Sequence, residues 1–96
     1  MRKQSPLSAE TAQDIAVQGL TFIAGDPAIL SRFLGATGWT AESLHSPETR
    51  ESIPLAALEF LMSAEDLLLT FAANAGLDPS EVSRAHHALQ NPSDRA

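Results

Sequence analysis

The chain has 96 residues, 44% of them hydrophobic, and a formal net charge of −6. That length supports one domain around a single core, and that hydrophobic content argues against wholesale disorder. With no cysteine the chain forms no disulfide and offers no thiolate, which fits a reducing compartment, so the cytoplasm is the expected location.

The opening MRKQSPLSAE carries basic residues but no apolar run behind them, so no signal peptide is expected. No stretch is long and apolar enough for a membrane span. Between residues 10 and 90 three bases (Arg32, Arg50 and Arg84) face eleven acids, a net −8. A body this acidic repels phosphate backbones and anionic membranes.

The first predicted helix starts at a cap on Ser5 or Ser8 and runs to about Ala24. Ala12, Ile15, Ala16, Gly19, Leu20 and Ile23 form its apolar stripe, with Gln13, Asp14, Gln18 and Thr21 mostly opposite. Gly25-Asp26-Pro27 stops it and opens a second helix, with Asp26 as cap and Pro27 as first helical residue. Ile29, Leu30, Phe33 and Leu34 form that helix's buried face. Gly38 ends it, and Thr40 can cap a short third helix carrying Leu44.

Residues 45–53 read as a polar connector, because Pro54 argues against one helix running through both Pro47 and Pro54. A fourth helix is expected from Pro54 to about Met62, apolar on most sides and therefore central. A fifth helix opens at Ser63, which pairs with Asp66 as a capping box, and carries Leu67, Leu68, Phe71, Ala72 and Ala75. Gly76 stops it, Leu77 closes the corner, and Asp78-Pro79-Ser80-Glu81 caps a sixth helix through Val82, Ala85, His86 and Leu89. Asn91-Pro92 ends that helix. The expected organisation is a flexible segment 1–8, a single helical domain 9–90 and a frayed tail 91–96.

A shift of 38 residues superimposes Leu20 on Leu58, Phe22 on Phe60, Leu30 on Leu68, Phe33 on Phe71 and Gly38 on Gly76. The fold class expected is therefore all-α, a single compact domain of five or six helices with two pseudo-repeated helix–Gly–helix corners.

Two segments, LTFIAGDPAILSRFLGATGW and PLAALEFLMSAEDLLLTFAANAGLDPSEV, carry a wider likeness. With them the chain resembles an uncharacterised bacterial family of short proteins known as domain of unknown function 3572, over roughly residues 12–90. The resemblance implies a small all-helical cytoplasmic protein. It brings no reaction, cofactor or catalytic residue.

Three constellations bear on function. The Gly76 corner has the small residue Ala72 four before the glycine and apolar residues at Phe71, Ala75, Leu77, Val82 and Ala85, as a DNA-binding helix-turn-helix requires. Ser80, Ser83, Arg84 and His87 would then be the DNA contacts. Any tight αα-corner needs the same small and apolar positions, and one arginine beside Asp78 and Glu81 supplies little phosphate attraction. His45, His86 and His87 are the candidate soft metal ligands, but adjacent histidines point about 100° apart on a helix. No metal site is expected, and His86, on the apolar stripe, reads as a half-buried, hydrogen-bonded residue. Ser83 and His87 are one turn apart, yet nothing orients a base or forms an oxyanion site, so no catalytic residue and no cofactor is expected.

Leu67-Leu68-Leu69 points apolar side chains to three sides of one helix. A single core can take Leu68 with Phe71 and part of Leu67. The candidate partner surface is therefore Leu67, Leu69 and Trp39. The favoured reading is a non-enzymatic interaction or adaptor module that binds an unidentified protein or its own copy as a homodimer. The alternative is a helix-turn-helix regulator using the Gly76 corner.

Overall fold

A computed structural model describes residues 8–90. Its elements are α1 (Ala9–Ala24), α2 (Pro27–Thr37), a single 3-10 turn η1 (Ser43–His45), α3 (Pro47–Ser63), α4 (Glu65–Ala75) and α5 (Pro79–Gln90). The described residues form no strand, and the fold class is all-α as expected. Ser5, the Asn91-Pro92 stop and the tail lie outside the described residues.

Each helix start has a local cause. Ser8 Oγ accepts from the Thr11 amide at 3.1 Å, so Ser8 belongs to the folded body as the cap of α1. Asp26 Oδ1 accepts from the Ala28 amide at 2.9 Å, with Pro27 in the first turn of α2. At α5 the capping box is reciprocal. Asp78 Oδ1 accepts from the Ser80 amide at 2.9 Å, and Glu81 Oε1 accepts from the Asp78 amide at 2.8 Å.

Both glycine stops are left-handed, Gly38 at φ +80° and Gly76 at φ +71°. They close differently. Gly76 forms a Schellman pair, with Leu77 N–H donating to Ala72 C=O at 2.8 Å and Gly76 N–H to Ala73 C=O at 3.4 Å. Gly38 makes a single bond, from its N–H to Leu34 C=O at 2.9 Å.

The structure corrects the sequence reading at four places. The short third helix is only the 3-10 turn, tied by reciprocal bonds between Thr40 and Ser43 at 2.8 and 3.1 Å. Residues 47–53 of the expected connector and the helix from Pro54 are one element, because α3 runs straight through Pro54. Proline there removes one bond, to the carbonyl of Arg50, at a cost of about 3 kcal/mol in a helix interior. Arg50 is exposed, so water can replace the lost donor. Keeping the helix whole leaves the half-buried Thr49 and Ile53 in line with buried Ala57 and Phe60, a stripe that a break would scatter. Ser63 does not cap the following helix. It is the last residue of α3, and its hydroxyl donates back to Phe60 C=O at 2.8 Å. Finally Leu67 is buried at 7% exposure while Leu68 is only half-buried, the reverse of the expected order.

The core is built on α3. Ala57, Leu58 and Leu61 are fully enclosed, facing Ala12, Ala16 and Ile23 of α1 and Val82 and Ala85 of α5. Phe33, expected in the face of α2 with Ile29, Leu30 and Leu34, is the residue of that face which is buried; the other three are half-buried. It packs edge-on against Phe60 at 5.4 Å and Trp39 at 6.0 Å. His86 is half-buried as expected, its Nε2 lying 3.2 Å from Glu59 Oε2, which ties α5 to α3.

Two predictions follow from the helix ends. Neither left-handed glycine has an atom within 4 Å of where a Cβ would stand, so the strain there is purely conformational. Gly38→Ala and Gly76→Ala should each cost roughly 1 kcal/mol or more, while Gly76→Asn should cost less. Gly35 also has open space but lies inside α2 without a positive φ. Gly35→Ala should therefore stabilise by about 0.5–1 kcal/mol. Chemical denaturation of the set checks the opposite signs of two substitutions three residues apart.

Asp78 gives a pH signature. The Ser80 amide is the main cause that holds its carboxyl below the ordinary 3.8, helped by the Ser80 hydroxyl, opposed by desolvation and aided least by the Arg84 charge. A depressed folded value means that the ionised group's stabilisation is complete above pH 3.8 and drains away as pH falls through the lower folded value. Asp78→Asn should flatten that part of the acid limb in thermal melts taken across this range.

Candidate functional site

The sequence-derived partner surface does not come together in space. Leu67 is buried and leaves it. Trp39 is half-buried against Phe33 and lines a groove of about 390 Å³ between α2 and α3, with Ala36, Ala56 and Glu59. Leu69 stands out at 50% exposure, on a row of α4 flanked by the exposed Glu65, Asp66 and Ala73.

A second groove, of about 330 Å³, opens between α1 and α4. Its floor is Phe22, Phe71 and Ala75, with the two phenyl rings tilted against each other at 5.6 Å. Val17, Gln18 and Thr21 form one rim, and Asn74 stands on the other. Leu69 and Asn74 are five residues apart and so point about 140° apart around the helix axis. Leu69 thus faces away from this groove.

Val17 is the residue that the sequence reading missed. At 56% exposure it is more open than Leu69. The available signal was a β-branched apolar residue on the polar side of α1, beside Gln13, Asp14, Gln18 and Thr21. Val gains little there from helix propensity and nothing from the core. A scan for the apolar stripe passes over such a position because it lies off the stripe.

The groove can do one kind of chemistry. It offers apolar contact with neutral amide and hydroxyl groups at its edge, suited to a side chain of a polypeptide rather than to a charged small molecule. Thr21 already spends its hydroxyl on Val17 C=O at 2.9 Å.

The residues of the helix-turn-helix reading sit as follows. Ala72, the small corner residue, is 2% exposed and closes the α4–α5 turn. Ser80, Ser83 and His87 are exposed on α5, while Arg84 is half-buried and near enough to Asp78 to act on its charge. The first turn of α5 presents Asp78 and Glu81, both engaged in the capping box.

Among the described residues no group of three His, Asp or Glu side chains is placed to hold a metal ion. His45 and His87 are exposed, and His86 is committed to Glu59. Among the same residues no helix is long and apolar enough to cross a membrane.

Comparison with known proteins gives a family but no activity. No curated protein and no solved structure matches the chain. A family model described as "Protein of unknown function (DUF3572)" matches residues 9–92, which takes in every helix of the fold. The chain belongs to that family.

Proposed function

We propose that this domain is a non-enzymatic interaction module of the cytoplasm, and that it binds a protein partner through the α1–α4 groove. The observation that supports this reading is Val17, an aliphatic side chain 56% exposed at the lip of a groove floored by two phenyl rings. Solvent-facing apolar groups that continue into a concave apolar floor are the usual mark of a recognition surface, whereas a lone exposed leucine is ordinary. Leu69 is such a lone residue, turned away from the groove about the axis of α4.

The helix-turn-helix reading has the buried Ala72 and the left-handed Gly76 in its favour. Two carboxylates at the start of α5 and a net charge of −8 over residues 10–90 weigh against phosphate contact, so we place it second.

Val17→Glu should leave the fold unchanged, within about 0.5 kcal/mol by denaturation, because the site is exposed. It should abolish recovery of a partner that the wild-type domain captures and enriches in cell extract. Leu69→Glu should also fold and should retain that partner. Equal recovery with wild type and Val17→Glu would sink the groove, and loss with Leu69→Glu alone would move the surface to the far side of α4.

For the alternative, a mobility-shift titration with random and genomic duplexes at physiological salt should show no retardation below about 1 µM protein. Tight binding that Arg84→Ala abolishes would reverse the ranking.

A further inference from the structure

We infer that the α1–α4 groove receives a basic amphipathic helix, with an apolar anchor seated on Phe22 and Phe71 and lysine or arginine side chains laid along α1 toward Asp14 and Glu10. The inference rests on the interaction-module reading and adds the chemistry of the partner.

The argument is the distribution of charge about the groove. Of its two walls, α1 carries Glu10 and Asp14 and α4 carries Glu65 and Asp66, with no basic residue on either helix, although Glu65 shares the row of Leu69 and faces away from the groove. Three of these acids lie in first helical turns, where the helix dipole alone accounts for a carboxylate. Asp14 is beyond the first turn, and the dipole does not account for it. Helical geometry places Glu10, Asp14, Val17 and Thr21 in one row, and all four are exposed. Asp14 and Glu10 stand about 4.5 and 10.5 Å along the axis from Val17. On the opposite wall Asp66, Thr70 and Asn74 follow at four-residue steps and are exposed as well.

An occupant complementary to this frame has an apolar residue where it meets the phenyl floor and positive side chains one and two turns away on the same face. That is the pattern of a basic amphipathic helix bound in a groove. A second copy of the domain fits worse, since two bodies each carrying −8 would bring like charges together.

The test is selection from a displayed library of random 16-residue peptides against the wild-type domain, followed by affinity titration of the survivors. Survivors should carry net positive charge and an apolar residue with Lys or Arg three to four and seven residues from it. Val17→Glu should abolish their binding. Glu10→Lys with Asp14→Lys, which leaves the apolar floor intact, should weaken them at least tenfold and flatten their salt dependence. Neutral or acidic survivors that still need Val17 would overturn the basic-partner inference and leave the groove as a binding surface. Survivors indifferent to Val17→Glu, or an empty selection, would overturn both. Sedimentation showing a dimer that Val17→Glu dissociates would overturn the inference by assigning the groove to a second copy.

Discussion

The fold depends on how closely α1 approaches α3. Gly19 marks that approach, since a Cβ there would stand 3.1 Å from Leu61 Cδ1 and within 4 Å of Phe71 and Leu58. Ala16 and Ala12, one and two turns before it, are completely enclosed. A helix with alanine and glycine on its inner face can settle close to its neighbours, and interior packing leaves little slack to accept anything larger. With α1 seated so near, Leu58 and Leu61 are covered from above, and Val82 and Ala85 of α5 complete the enclosure. Ile15 and Ile23 are the large side chains that α1 adds to this core, on either side of the small residues that let it approach.

Most of this architecture is legible from residue spacing. The starts of α1, α2 and α5 follow from Ser8, Asp26-Pro27 and Asp78-Pro79, because those caps are local and need no tertiary partner. The ends at Gly38 and Gly76 follow for the same reason. Misreadings arise where tertiary packing outweighs a local preference. Proline at position 54 is a strong local signal against helix, but it removes a single bond, while an unbroken α3 keeps the half-buried Thr49 and Ile53 in line with buried Ala57 and Phe60. Ser63 satisfies the pattern of a cap, yet only one residue separates α3 from α4, so its hydroxyl stays with the helix it ends. Which of Leu67 and Leu68 is buried turns on how α4 is rotated about its axis, and one helical stripe cannot fix that rotation to within a residue.

The candidate site is less legible than the fold for a related reason. A core announces itself by repetition, and a surface groove does not. Val17 becomes informative only when Phe22 and Phe71, 49 positions apart in the chain, are brought to 5.6 Å beneath it. The acids of α1 and α4 are similarly scattered along the sequence and gain meaning when the two helices become opposite walls. Absence of bases from both walls then sets this groove apart from α2, α3 and α5, each of which carries one arginine.

The corner after Gly38 has a spectroscopic consequence. The chain contains one tryptophan and no tyrosine, and that tryptophan stands edge-on to Phe33, half-buried at the seam between α2 and α3. Intrinsic emission therefore comes from a single indole whose surroundings are set by that seam alone. Loss of the seam would redshift and quench the emission even while α1, α3 and α5 stayed packed, whereas circular dichroism weighs all the helices together. Divergence between the two signals during unfolding would locate the first element to let go, with no label introduced.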